Sequence, residues 1–276
     1  MIRIGHNPNT NMLPMFFYLP HQHKLLEWVT SEPTGHNAML AEKLIDTAPI
    51  SAFSYGQHWR EYYILPDLSV STRGRVGSIL LFSKYPLDQL DGKKIALTSQ
   101  SATSVNLVKI ILQRFYGVSP EYFTRDAGLE EMLQEADAGL LIADRAIKAA
   151  ASQPDVHVFD LGQEWLKQTG CSMTYAVWAF PKVLVQEKGE ELREVHSLLL
   201  DSKQKALRDI DKVVEACVKM LGGTQEFWQD YFAQFKYELG EDLQEGLNRY
   251  FALCYEEGLL PEKPELEFWP EFPEFD

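Results

Sequence analysis

The chain has 276 residues, a formal net charge of −14 and a sequence pI near 5.0. Hydrophobic residues make up 45% of it and aromatic residues 12%, which excludes a disordered chain and allows one large or two smaller packed units. The acidic balance disfavours nucleic acid and anionic membrane surfaces as partners, because both carry charge of the same sign.

The N-terminal segment and the cysteines exclude several further classes. Asn7, Asn9, Thr10 and Asn11 make the start of the chain polar where a signal peptide needs a basic segment followed by an apolar run, so no secretory signal is predicted. No stretch reaches the roughly 18–20 apolar residues of a membrane span. The three cysteines are an odd number at wide spacing, which argues against a disulfide framework and a zinc site. We therefore expect a soluble, cytoplasmic protein without a metal ion.

Short β-rich runs alternate with helical patterns up to about residue 185, and this alternation predicts an α/β fold with a largely parallel sheet. The predicted strands are Arg3–Gly5, Tyr62–Leu65, Ile79–Ser83, Lys94–Thr98, Gly139–Ile142, Val156–Phe159 and Thr174–Phe180. The clearest helices between them are Asn37–Leu44, Ala102–Phe115 and Leu129–Glu135.

Two polar loops follow predicted strand ends. Asn7–Pro14 comes directly after the first strand, and Pro49–Phe53 contains another strand end. Ligands of α/β proteins gather beyond the carboxyl ends of strands, so Asn9, Asn11 and Ser51 are candidates for one crevice. Asparagine is also an ordinary turn residue, which leaves a purely structural role open.

The polar loop Ser71–Ser78 leads into a further strand and predicts a hairpin. Its glycines, Gly74 and Gly77, are spaced too closely for a dinucleotide-binding fingerprint. Its two charged residues are Arg73 and Arg75, and by themselves they are typical of solvated loop arginines.

A hydroxyl-rich turn lies between a predicted strand and an apolar helix within Lys94–Phe115. Five hydroxyl side chains occur there over seven positions: Thr98, Ser99, Ser101, Thr103 and Ser104. Unpaired N–H groups and a partial positive charge at a helix N-terminus favour anions, and the hydroxyls add donors. The turn is therefore a candidate site for a carboxylate or phosphate, and an ordinary helix cap is the alternative.

From Glu187 onward the pattern is helical, with apolar residues three or four positions apart. The two sets are Leu207, Ile210, Val214, Cys217 and Leu221, followed by Leu243, Leu247, Phe251 and Cys254. Gly222, Gly223 and Gly240 are predicted helix C-terminal stops. The last 16 residues contain four prolines and predict an extended tail that docks through Phe268, Trp269, Phe272 and Phe275.

No other catalytic pattern is present in the sequence: it has no HExxH motif, no GxSxG elbow and no phosphate-binding Walker loop. Asp144 and Asp160 end predicted strands, where helix caps and turn residues are common. Hydroxyl, amide and N–H groups dominate the candidate sites, which is typical of a cleft for an oxygen-rich small molecule.

Five segments together resemble the chorismate dehydratases of the futalosine route to menaquinone. They are RIGHNPNTNMLP, ISAFSYGQHWREYYILPDLSVSTRGRVGSILLFSK, GKKIALTSQSATSVNLVKIIL, EADAGLLIADRAI and DLGQEWLKQTGCSMTYAVWAF. They occur in the family's order from residue 3 to about 180. The helical remainder is similar more loosely.

The resemblance implies an α/β, two-lobed fold similar to type 2 periplasmic binding proteins, with a ligand cleft between the lobes and C-terminal helices. Residues 1–85 and 178–276 would form the first lobe, and residues 90–172 the second. Ile79–Ser83 and Thr174–Phe180 would then connect the two lobes and act as a hinge.

The implied reaction is loss of water from chorismate to give 3-[(1-carboxyvinyl)oxy]benzoate, driven by aromatisation and without a cofactor. Motif position places the family's catalytic pair on Asn11 and Ser78. Because an amide and a hydroxyl are poor bases, we expect them to position the substrate and to hydrogen-bond its leaving group. We hypothesise that a carboxylate of the substrate takes the proton.

Chorismate itself is the one partner that the resemblance implies, and the oligomeric state is left open. The turn Ser99–Ser104 is our candidate for one substrate carboxylate, and Arg73 or Arg75 for the other. Ala52 stands where many relatives have a serine. The predicted substrate-binding residues are Ser51, Arg73, Thr98, Ser99, Ser101, Ala102, Thr103, Ser104 and Asp144.

Two alternatives remain. A 1,4-dihydroxy-6-naphthoate synthase of the same pathway is similar in fold but relies on a cleft histidine, which the stretch LLIADRAIKAA lacks. A non-catalytic anion-binding module would predict a signal segment. The acidity does not oppose a dianionic substrate, because residues 1–186 carry 16 basic and 18 acidic side chains, a net charge of only −2.

Overall fold

The computed structural model describes residues 1–270, which form eleven strands and eleven α-helices. The strands are β1 (Ile2–His6), β2 (Leu26–Thr30), β3 (Ala48–Ser51), β4 (Tyr62–Thr72), β5 (Ile79–Ser83), β6 (Lys94–Leu97), β7 (Glu121–Thr124), β8 (Ala138–Ile142), β9 (His157–Asp160), β10 (Met173–Pro181) and β11 (Phe235–Lys236). The helices are α1 (Leu13–Phe16), α2 (Pro33–Ala41), α3 (Ala52–His58), α4 (Ala102–Ile110), α5 (Leu129–Glu135), α6 (Ala143–Ala151), α7 (Leu161–Thr169), α8 (Leu184–Arg208), α9 (Ile210–Leu221), α10 (Gln225–Ala233) and α11 (Glu241–Glu256). Among these helices, none is both long and apolar enough to cross a bilayer.

The strands form two main sheets of mixed character. One has the order β11-β4-β10-β3 and is antiparallel throughout. The other has the order β7-β6-β8-β5-β9, and only the pairs that involve β6 are parallel. A separate parallel pair joins β1 and β2. The prediction of a largely parallel sheet is therefore wrong, because β5 and β10 are antiparallel to the strands on both sides of them.

The loop between β4 and β5 crosses from one sheet to the other. The predicted hairpin is wrong, since β4 pairs with β10 and β11 while β5 pairs with β8 and β9. All five residues of Ile79–Ser83 are buried, as an apolar strand between two neighbours should be. Gly74 and Gly77 turn the loop with φ of 94° and 71°, which side chains rarely adopt. The chain therefore passes from the first sheet to the second before β5 begins, whereas the expected first lobe extends to residue 85.

The C-terminal helices follow the predicted periodicity with two differences. The chain bends at Asp209, which separates α8 from α9 and leaves Leu207 41% exposed outside the expected apolar face. Gly222 ends α9 with a φ of 77°, as predicted, whereas Gly240 precedes α11 and does not end a helix. The four apolar residues expected on the face of α11 are all buried.

The segment after α11 docks along β4 in extended form. The N–H of Ile64 donates to the Glu267 carbonyl at 2.8 Å, and the N–H of Trp269 donates to the Ile64 carbonyl at 2.9 Å. The Trp269 ring is 6% exposed and its centroid lies 5.0 Å from that of Phe180. Docking through Trp269 agrees with the prediction, while Phe272 and Phe275 lie outside the described residues.

Candidate active site

A cleft is lined by residues from both main sheets and from the loop after β1. None of its described lining residues is charged. Its polar side chains are Asn7, Asn9, Asn11, Ser51, Ser78, Ser101, Ser104 and Tyr175. The arrangement can therefore bind an oxygen-rich ligand through neutral donors.

Three helices of nine residues each begin at this cleft. Pro33 of α2, the Ser101 cap of α4 and Ala143 of α6 all line it. The first turn of a helix has unpaired N–H groups that point out of its N-terminal end, and this end carries a partial positive charge. The cleft therefore favours anions without an arginine or lysine among its described lining residues.

Asn11 lies in a short 3-10 helix, Thr10–Met12, between β1 and α1. A hydrogen bond fixes its backbone, since the hydroxyl of Tyr237 donates to the Asn11 carbonyl at 2.9 Å. Its side-chain Oδ1 is buried and has no hydrogen-bond partner within residues 1–270. A buried amide oxygen left unpaired in this way can accept a hydrogen bond from a ligand, which would remove the cost of burying a polar atom without a partner.

Ser78 immediately precedes β5 and is only 1% exposed. Its carbonyl accepts a 2.7 Å hydrogen bond from the N–H of Ala143. Its hydroxyl oxygen accepts a 2.9 Å hydrogen bond from the hydroxyl of Tyr231 in α10. The structure thus brings both members of the expected pair, Asn11 and Ser78, to one cleft.

Ser51, Ser101 and Ser104 also lie where they were predicted, in the wall of the cleft. Ser51 caps α3 and accepts from the N–H of Ser54 at 3.1 Å. Ser101 caps α4 in the same way, accepting from the N–H of Ser104 at 3.1 Å, and its hydroxyl donates to Ser104 Oγ at 2.8 Å. The Ser104 proton therefore remains free for a ligand.

Thr98 and Ser99 do not line the cleft, which corrects their assignment to the anion site. The Thr98 hydroxyl donates to Asp126 at 3.1 Å, and Ser99 donates to the same carboxylate through its N–H at 2.9 Å and through its hydroxyl. Burial acts to raise the pKa of Asp126, but these hydrogen bonds outweigh it and lower that pKa below its ordinary value. A carboxylate of the protein already occupies these donors.

Thr103 and Ala102 are likewise absent from the cleft wall. The wholly buried Thr103 hydroxyl donates to the Tyr175 carbonyl at 3.0 Å and accepts from the N–H of Phe53 at 3.1 Å. It therefore joins α4 to α3 and β10, and it has no proton left for a substrate. The expected role of Thr103 as a ligand donor is wrong for this reason.

The three charged residues considered for the substrate, Arg73, Arg75 and Asp144, lie outside the cleft wall. The exposed Arg73 is 3.5 Å from the hydroxyl of Ser172, outside the cleft, and Arg75 is exposed beside it. Asp144 accepts from the N–H of Thr10 at 3.3 Å and from the Thr10 hydroxyl at 2.5 Å. Asp144 therefore connects α6 to the loop that carries Asn11, without lining the cleft.

The residues that sequence reasoning missed come mainly from distant segments. Tyr231 and Tyr237 support Ser78 and Asn11 from 153 and 226 positions away. Ala143 lines the cleft with a φ of 50°, an unusual value for a residue with a side chain. The aromatic stretch around Tyr231 was the one visible signal, and it is equally typical of a helix core. No cluster of metal-binding side chains occurs within residues 1–270.

The fold and its cleft define the class of periplasmic-binding-protein-like proteins, as expected. A solved structure from Archaeoglobus fulgidus superposes with a TM-score of 0.75 at 22% identity, covering 94% of this chain and 98% of that one. The periplasmic aliphatic sulphonate binding protein SsuA from Escherichia coli superposes with a TM-score of 0.64 at 15% identity, covering 100% and 96%.

Sequence comparison identifies the family within this class. Residues 2–256 match the menaquinone biosynthesis family, so the chain belongs to it. The chain is 35% identical over 239 residues to chorismate dehydratase of Thermus thermophilus, covering 79% of this chain and 83% of the relative. It is 25% identical over 280 residues to 1,4-dihydroxy-6-naphtoate synthase of the same organism, covering 95% and 97%. The resemblance seen in the motifs is confirmed.

Proposed function

We propose that the protein is a chorismate dehydratase, a hydro-lyase that converts chorismate to 3-[(1-carboxyvinyl)oxy]benzoate and water. The ring loses the hydrogen of C3 and the hydroxyl of C4, so the step is redox-neutral and forms an aromatic ring. The observation that carries the proposal is the meeting of Asn11 and Ser78 in one uncharged cleft. The 35% identity to the Thermus thermophilus enzyme supports it independently.

The cleft suits a small dicarboxylate through its hydrogen-bond donors. One carboxylate would be bound by Ser104 and the N-terminus of α4, the remnant of the hydroxyl-rich turn that does line the cleft. Charge-assisted hydrogen bonds of this kind contribute about 1.5–3 kcal/mol each.

Asn11 and Ser78 act by position and not by basicity. The amide of Asn11 orients the ring, and the hydroxyl of Ser78 donates to the departing C4 hydroxyl. The described lining residues include no Asp, Glu or His that could take the C3 proton. A carboxylate of chorismate is therefore the base, and the protein holds the substrate in the conformation that lets this carboxylate reach C3.

We also propose a two-lobed organisation with revised limits. The four-stranded sheet, β1, β2 and the C-terminal helices would form one lobe, and the five-stranded sheet the other. Sheet membership supports crossings at residues 73–78 and 170–172, on either side of the second lobe.

Incubation of the purified protein with chorismate, followed by chromatography, tests the function. We expect an aromatic enolpyruvyl ether to form with the wild type and to form about 10²- to 10³-fold more slowly with Ser78→Ala. Chorismate recovered unchanged, together with binding measured by calorimetry, would instead support a non-catalytic anion-binding protein. Chorismate neither bound nor converted would favour the naphthoate synthase alternative, whose support is the 25% identity over nearly the whole chain.

A further inference from the structure

Tyr231 lies wholly inside the protein at the point where α10 packs behind the cleft. Its side chain is 2% exposed. Its ring centroid lies 5.5 Å from that of Trp228, 5.4 Å from that of Phe232 and 5.0 Å from that of Phe235. This aromatic packing holds the ring in one place, so its hydroxyl has a defined direction.

That hydroxyl points at Ser78. It donates to Ser78 Oγ at 2.9 Å, and within residues 1–270 no group accepts the proton of Ser78. A serine hydroxyl carries one proton and two lone pairs. Because Tyr231 occupies a lone pair, the Ser78 proton is left to point into the cleft that Ser78 lines.

The surroundings keep Tyr231 in its neutral, donating form. Burial is the main cause that raises the pKa of Tyr231. The nearby charge of Asp144 raises this pKa further, while hydrogen bonds with Ser78 and Thr10 offset only part of the rise. The phenol therefore keeps its proton throughout the pH range in which enzymes of this kind are assayed.

The main chain of Ser78 is also fixed independently of Tyr231. The carboxylate of Asp160 accepts from the N–H of Gly77 at 2.7 Å, and the Ser78 carbonyl accepts from Ala143. Gly77 additionally lies against the Tyr231 ring, since a Cβ there would meet that ring at 3.4 Å. Removal of the Tyr231 hydroxyl should consequently free the Ser78 side chain without displacing its backbone.

We propose that Tyr231 is a positioning residue of the reaction, which orients the Ser78 hydroxyl so that it donates to the departing C4 hydroxyl of the substrate. The inference rests on the proposed dehydratase function. A hydroxyl that accepts one hydrogen bond also becomes a stronger donor for the next, so Tyr231 both aims and polarises Ser78. None of the sequence motifs reaches this residue.

The test is Tyr231→Phe, which keeps the ring and removes only the hydroxyl. We expect kcat to fall about tenfold, the equivalent of about 1.4 kcal/mol, with KM within about twofold of the wild type. Because Tyr231 acts through Ser78, the double variant Tyr231→Phe/Ser78→Ala should be no slower than Ser78→Ala alone. A merely structural tyrosine would instead lower both activities by the same factor.

Tyr55→Phe is the matched control. Tyr55 is equally buried, and its hydroxyl donates to the Glu265 carbonyl at 2.9 Å, in the docked C-terminal segment. We expect its kcat to equal that of the wild type. An active wild type with an unaffected Tyr231→Phe variant, or losses that multiply in the double variant, would overturn the role of Tyr231 alone. A wild type inactive on chorismate would overturn the proposed function and this role with it.

Discussion

The hydroxyl groups of one short stretch of chain fall into two sets: one lines the cleft, and the other bonds to protein atoms outside it. Ser101 and Ser104 line the cleft, and the Ser104 proton remains unused by the protein. Thr98, Ser99 and Thr103 are bonded to protein atoms, and all three lie outside the cleft wall. The difference shows that a hydroxyl-rich turn is not one site: its members divide between ligand binding and internal support.

The largest expected effects fall on the cleft side of this division. Asn11→Ala and Ser78→Ala should each lower kcat about 10²- to 10³-fold, because each removes a preorganised hydrogen-bonding group at the reacting atoms. Steady-state kinetics with chorismate measures this, and circular dichroism checks that both variants fold. Near-normal turnover in either variant would contradict the assignment of that residue.

Thr103→Val should affect stability and not binding. The change keeps the shape of the side chain but removes the buried hydrogen bonds that Thr103 makes with the Tyr175 carbonyl and the Phe53 N–H. We expect the free energy of unfolding to fall by about 1–3 kcal/mol in urea titrations, with KM unchanged. A higher KM at unchanged stability would show instead that Thr103 binds the substrate.

Ser104→Ala should raise KM for chorismate about tenfold and leave kcat within about twofold, since it removes one donor to a carboxylate, worth about 1.4 kcal/mol. Thr98→Ala is its counterpart in the same turn, and its KM should stay at the wild-type value. Equal effects of the two changes on KM would abolish the distinction between the two sets of hydroxyls.

The smallest effect concerns pH. The folded protein lowers the pKa of Asp126, so this group stabilises the fold above its ordinary pKa of 3.8, and that stabilisation is lost as the pH falls through the lowered value. Ser99→Ala removes one of the causes. We expect its melting temperature to be lower than that of the wild type at pH 7 and to approach the wild-type value at the lowest pH. A difference that is independent of pH would contradict the link between Ser99 and Asp126.

The sequence by itself determined the class of fold, the family and most of the elements. Periodicity located the buried faces of the helices, as in α11, because apolar residues three or four positions apart in the sequence lie on the same face of a helix. Motif position predicted that Asn11, Ser51 and Ser78 belong to one site, and all three line the cleft. Periodicity failed at Leu207, where a bend that no residue pattern signals interrupts the helix.

Only the tertiary structure decided which polar groups face a ligand. Arg73 lies exposed near the Ser172 hydroxyl, outside the cleft wall, in a loop that crosses between sheets. Ser99 donates its N–H to an aspartate 27 positions later. Tyr231 reaches Ser78 across 153 positions. A hydrogen-bond donor has a limited number of protons, and what each proton binds depends on neighbours in space that no local pattern records.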